Sequence, residues 1–200
     1  MARPPKYSSD QILDAVVEVV KRKGVAAVSA TGVAALLGAP SGSIYHRFPS
    51  RDVLVASAWL RAGERFRGEL AGALAGPDPE AAALTAVRGT LDWARRRPSE
   101  ASFFLAYGKA DLTKNEWPPE VFRRANRLGN DLTDTLRRFS ARLPGTSLAR
   151  LRFALIDVPQ AALRRALTNG SAIDSEVQTL VEETVMALLG RSEPVSRMAS

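Results

Sequence analysis

The sequence predicts an all-α chain. Every segment long enough to show a period spaces its apolar residues at three- and four-residue steps, and helix start and stop signals bracket each of those segments. A content of 46% apolar residues over 200 positions is enough for a buried core. The first helix carries a capping box at Ser8 and Gln11, a staple of Tyr7 with Ile12, a stripe of Ile12, Val16, Val19 and Val20, and a stop at Gly24. Its valines favour strand weakly, and the caps and spacing outweigh them. Residues 28 to 54, VSATGVAALLGAPSGSIYHRFPSRDVL, then hold two short helix patterns joined by a Gly-containing turn and followed at once by a third helix start, the layout of a helix-turn-helix. Ser29 is the cap, Val28 and Val33 the staple, and Gly38 the left-handed stop. The second short helix, about Pro40 to Arg47, has only Ile44 and Phe48 to anchor it. Ser50 caps a long connecting helix over 51–75 that ends at GPDP.

Beyond that break, Asp78-Pro79 starts a helix with Leu84, Val87, Leu91 and Ala94 on one face, ending near Arg97 before Pro98. A short helix passes through Phe103, Phe104 and Tyr107. WPPE opens a long one with Val121, Ala125, Leu128, Leu132, Leu136, Phe139 and Leu143 aligned and LPG as its close. A final pair is expected over 148–167 and 173–189, joined by TNGS, with a kink at Pro159. The polar tail 191–200 reads as disordered. The expected organisation is thus an N-terminal three-helix domain over 1–50 and a helical bundle over 51–190.

The side chains left pointing outward from the second short helix are Ser41, Ser43, Tyr45, His46 and Arg47. These hydroxyls, the imidazole and the guanidinium are the groups that bond to phosphates and base edges of DNA. His46 is the single histidine, and with no cysteine in the chain neither a metal site nor a disulfide is available, so DNA contact is preferred to a merely solvated histidine. Net charge is +7, with Lys and Arg exceeding Asp and Glu by seven to four through residue 57. Such a balance attracts polyanions. Thr31 in the first turn of the first short helix can donate to a phosphate, and Lys6 and Arg3 before the first helix can reach the DNA backbone or a minor groove. Phosphate loops, nucleophile elbows and zinc-protease motifs are absent, which argues against an enzyme, and no cofactor is implied. No apolar run approaches a membrane span, and MARPPKYSS lacks the core of a signal peptide, so a cytoplasmic location is expected.

Ser29, Val33-Ala34, Gly38, Gly42-Ser43-Ile44-Tyr45, Phe48-Pro49-Ser50 and Leu54, at their spacing, resemble the tetracycline-repressor (TetR) family of bacterial regulators. The motif spans about the first quarter of the chain, and the remainder agrees in helix number and length. Two positions depart from the family pattern: Pro40 stands where a hydroxyl cap is usual and Ala39 where valine is. Proline suits the first turn of a helix, since its missing N–H would be unpaired there. The resemblance implies a homodimer on a double-stranded operator, released by a small-molecule effector, and it implies a phosphate contact for Arg51, which is otherwise a plain surface charge. The contrasting reading is a constitutive DNA-binding or architectural protein with a fully packed bundle.

The last two helices carry excess apolar surface at Leu151, Leu155, Val158, Ala162, Leu163, Val177, Leu180, Val181, Val185, Leu188 and Leu189. From composition alone that surface either completes the monomer core or forms a twofold interface, with Leu151, Leu155, Val177, Val181, Val185 and Leu188 at its centre. The family resemblance implies the interface. Eight of 13 aromatic residues fall between 93 and 153. Trp93, Phe103, Phe104, Tyr107, Trp117, Phe122 and Phe153 line an effector cavity by the same resemblance, one suited to a largely apolar ligand, or else they fill the core. Asp157, in the run FALIDV, is read as a buried carboxylate that pairs with Arg152, Arg164 or an arginine of another helix, or else with a cationic ligand. Arg95 to Arg97 read as a solvated helix end.

Overall fold

The computed structural model describes residues 7–108, 117–171 and 173–190. All its regular elements there are helical: α1 (Ser9–Lys23), a 3₁₀ turn (Val25–Ala27), α2 (Ala30–Leu37), α3 (Ser41–Tyr45), α4 (Arg51–Leu74), α5 (Pro79–Arg96), α6 (Pro98–Ala106), α7 (Pro119–Ser140), α8 (Leu148–Arg152), a π turn (Phe153–Asp157), α9 (Val158–Thr168) and α10 (Ser175–Gly190). The chain divides into two compact units, residues Met1–Arg65 with Arg97–Gly129, and Phe66–Arg96 with Asn130–Ser200. The division does not fall at residue 50. α4 and α7 each begin in the first unit and end in the second.

In the first unit, the predicted caps set the helix starts. Ser8 Oγ accepts from the Gln11 amide while Gln11 Oε1 accepts from the Ser8 amide, and Ser29 Oγ accepts from the Gly32 amide. Gly38 ends α2 in the left-handed region at φ 61°, where only glycine lacks a Cβ clash, so the chain turns into α3 without strain. One apolar cluster ties these helices to α4, joining Ile12, Val16, Val33, Ile44, Phe48, Leu54 and Leu60 with Phe103, Trp117, Val121 and Ala125. Gly63 makes the close approach of α4 possible. A Cβ there would lie 2.6 Å from Leu128 Cδ2 and 2.8 Å from Phe104 Cε2.

In the second unit, α5 packs on α9 and α10 around Val87, Leu91, Leu136, Phe139, Leu151, Leu155, Leu163 and Val185, all buried. Arg142 closes the far end of α4: Nη1 donates to the Leu74 carbonyl at 2.7 Å, and Nη2 to those of Gly76 and Pro77. A cation on the otherwise unpaired carbonyls of a helix C-terminus is doubly favourable. Leu151, Leu155, Val181 and Val185 therefore complete the core of one chain, which corrects their assignment to a twofold interface. Val177 and Leu188 are only partly covered, and Leu180 is 55% exposed. The expected kink at Pro159 takes the form of the π turn, in which the Val158 amide donates to the Phe153 carbonyl. The wider turn moves the buried stripe to Leu151, Ala154, Leu155, Ile156, Pro159 and Leu163.

Arg95 to Arg97 are paired rather than merely solvated. Arg95 binds Asp92 at 2.7 Å and Gln178 at 2.8 Å, Arg96 binds Glu69 at 2.8 Å, and Arg97 reaches Glu100 at 3.6 Å. Long arginine stems let a helix-end run reach carboxylates on neighbouring elements.

Candidate nucleic-acid interface

α3 is five residues long, and burial of Ile44 with Phe48 is what holds it. The other side chains of the segment face solvent: Pro40, Ser41, Ser43, Tyr45 and His46 are exposed, and Arg47 is half-buried. Pro40 takes the N-cap position with extended backbone and no side-chain cap. Ser43 donates its hydroxyl to the Pro40 carbonyl at 2.7 Å, so its lone pairs remain as acceptors for a base amino group. Thr31 is exposed at the start of α2, its hydroxyl 3.3 Å from that of Ser29. Tyr45, His46, Ser41, Ser43 and Thr31 thus form an open polar surface on α2 and α3. Lys6, assigned to the same surface, lies outside the described residues, as does Arg3.

The two arginines of the segment differ from expectation. Arg47 Nη1 donates to the Tyr7 carbonyl at 2.6 Å and so ties the chain just after α3 to the segment two residues before α1. Arg51, assigned to a DNA phosphate, spends its guanidinium inside the domain. Nε donates to the Val28 carbonyl at 3.0 Å, Nη2 to that of Val25 at 2.7 Å, and Nη1 to Asp52 at 3.0 Å. The cause is local: the 3₁₀ turn leaves carbonyls that α1 and α2 cannot satisfy, and a cationic donor beside them is the strongest partner within reach. Nothing in the spacing of the sequence signals a bond across 23 to 26 residues.

The residues expected to line an effector cavity are divided between the two units, Phe103, Phe104, Tyr107, Trp117 and Phe122 in the first and Trp93, Phe153 and Asp157 in the second. Phe103 and Trp117 are buried in the cluster that holds the first unit together. Phe104 lies against Trp59 with ring centroids 5.4 Å apart, and Tyr107 against Phe103 at 5.7 Å, its carbonyl accepting from Trp59 Nε1 at 2.7 Å. Trp93 belongs to the second unit, packed on Phe66 at 5.8 Å. Phe122 is 44% exposed and Phe153 53%, and Asp157 is exposed as well. Asp157 is thus not the buried carboxylate that FALIDV suggested, because the π turn carries Phe153 and Asp157 to the outer side together. A cavity of about 410 Å³ in the second unit opens between α9 and α10, lined by Val158, Ala162, Arg165, Val177, Leu180 and Thr184 among others. None of the expected effector residues lines it.

Similar proteins place this geometry. Residues 12–58 match the family model described as bacterial regulatory proteins, tetR family. No curated protein matches the chain. Among solved structures, a transcriptional regulator from Rhodococcus sp. Rha1 superposes with a TM-score of 0.74 at 17% identity, over 92% of this chain and 97% of that one. FadR from Bacillus subtilis in complex with stearoyl-CoA gives 0.70 at 14% identity, over 91% and 98%. The fatty acid degradation regulator FadR from Bacillus halodurans gives 0.70 at 16%, over 94% and 97%. The matched segment runs from Ile12 in α1 through α3 to Ala58 in α4, and it contains every described residue of the polar surface. Residues 12–58 therefore carry the N-terminal domain described as bacterial regulatory proteins, tetR family, and the chain as a whole has the fold of the solved regulators named above.

Proposed function

We propose that the protein is a cytoplasmic transcriptional repressor that binds an operator as a homodimer and is released from it by a small, largely apolar effector. The observation that carries the reading is the solvent-facing row of Ser41, Ser43, Tyr45 and His46 on a short segment anchored by Ile44 and Phe48. Such a helix has its outer face free for a major groove. Two heads on one face of a duplex must sit roughly 34 to 36 Å apart, one helical turn, so an effector that changes that spacing lowers affinity without touching the reading surface. The fold supports a sensor, since FadR, a protein of the same fold, holds stearoyl-CoA. Exposed Leu180 and Phe153, with the partly covered Val177 and Leu188, are among the apolar groups available to a second copy.

A second reading, the constitutive binder, is favoured by the packing of Phe103 and Trp117 into the head's own core. One experiment separates the two. Duplexes are selected from a random pool with the purified protein, and their affinity is then measured with and without long-chain acyl-CoA, other apolar compounds and organic cations. Selection of a twofold-symmetric motif, with affinity reduced roughly 5- to 150-fold by one compound class, is the expected result. A selected motif indifferent to every compound supports the constitutive binder, and failure to select any motif refutes sequence-specific binding.

A further inference from the structure

Two charged side chains are almost fully buried among the described residues of the first unit: Arg61 of α4, 6% exposed, and Glu100 of α6, 5% exposed. Buried charges persist only when their partners offset desolvation. Arg61 Nη1 donates to the Asp10 carbonyl at 2.7 Å and to Asp10 Oδ1 at 3.0 Å, and Nη2 donates to Asp14 Oδ1 at 2.6 Å. Its Nε lies 3.4 Å from Glu100 Oε1. Arg65 Nη1 donates to both oxygens of Glu100, at 2.8 and 3.0 Å, and Nη2 reaches Asp10 at 3.4 Å. With Arg97 at 3.6 Å from Glu100, three guanidinium groups meet three carboxylates and the cluster is neutral.

The cluster joins α1, α4 and α6 and includes no residue of α2 or α3. Replacing such an ionic cluster by apolar residues of similar volume is commonly neutral or stabilising, so stability alone does not call for six charges. Direction is what they add. Asp10 and Asp14 are one turn apart on α1, and a planar fork that binds both fixes the rotation of that helix about its axis, which apolar packing does not. α1 packs directly on α2, so its rotation carries the reading helix with it. We propose that Arg61 and Glu100 are positioning residues for DNA recognition, with the Arg61 fork on Asp10 and Asp14, backed by Glu100, setting the angle at which α1 presents the reading head. The inference rests on the DNA-binding reading above.

The test uses the full-length protein, a duplex that the wild type has selected from a random pool, and an unrelated duplex of equal length. Kd for each is measured across salt concentrations. Arg61→Met should weaken the selected duplex roughly 5- to 150-fold, the ordinary range of intersite coupling, with the log–log salt slope unchanged because no phosphate contact is lost. Arg61→Lys should fall between, since a point charge cannot span both carboxylates. The double substitution Asp10→Asn with Asp14→Asn is the decisive variant. Electrostatics alone predicts tighter binding to both duplexes, whereas loss of positioning lowers the ratio of selected to unrelated affinity. Both aspartates are exposed, so this variant gives an answer even where Arg61→Met unfolds. An unchanged ratio overturns the proposal. A wild type that selects no duplex removes the DNA-recognition reading itself and the proposal with it.

Discussion

A guanidinium carries five donors in a rigid fork, and at Arg51 most of them are consumed by the protein itself. Its bonds to Val25 and Val28 brace the turn between α1 and α2, which predicts that the residue acts on DNA binding by keeping the head folded. Arg51→Ala should lower stability by about 1–2 kcal/mol, the usual range for charge-assisted bonds reduced for a side chain 41% exposed. Chemical denaturation measures this. The log–log salt slope for DNA should stay unchanged, and a slope shallower by about 0.9 would return Arg51 to a phosphate. Residue identity in the motif was readable, but the partners were not, because they are backbone carbonyls supplied by a turn whose geometry no side-chain pattern encodes. Asp157 fails for a different reason: an apolar run predicts burial for the run, not for each of its members.

At the scale of elements, caps made the helix boundaries legible. Ser8, Ser29 and Ser50 start helices where their side chains accept an amide three residues on, and Asp78 does so before α5. The register after residue 152 was not legible. Pro159 announces a disturbance, but whether the chain bends or widens depends on what the neighbouring helices accept, and here a π turn resolves it. Consequently two adjacent residues on α10 separate the alternatives for the last helices. Val181→Glu should unfold the second unit at a cost above about 4 kcal/mol, as a charge placed in a closed core does. Leu180→Glu should leave the melting temperature nearly unchanged and shift sedimentation from dimer to monomer. A dimer that survives Leu180→Glu would place the interface away from this face.

At the scale of the molecule, fold class followed from periodicity, whereas grouping of helices into units did not, since that requires pairings between distant segments. One such pairing reports on pH. Arg88 on α5 donates to Glu182 on α10 through Nε at 2.9 Å and Nη2 at 2.7 Å. Those bonds hold the Glu182 carboxyl below its ordinary value of 4.5. A lowered folded-state value means that the stabilisation is complete above the unfolded-state value and is lost as pH falls through the folded one. Unfolding midpoints of the wild type and Arg88→Met should therefore differ at neutral pH and converge as the pH falls through the lowered Glu182 value. A constant difference across that range would show that the pair contributes through packing alone.

Each unit is assembled from two stretches of chain that are far apart in sequence, and this governs the order in which the protein can be made. When residue 65 has left the ribosome the head holds its own caps and motif, yet Phe103, Trp117, Val121 and Ala125, which close its core, have still to be synthesised. At about 5–20 residues per second that delay lasts several seconds. Throughout it Trp59 and Leu60 await partners and Arg61 lacks Glu100. The nascent head is therefore expected to keep apolar surface exposed until those residues emerge, and an N-terminal fragment cut at residue 50 or 65 should bind a hydrophobic dye that the full chain does not.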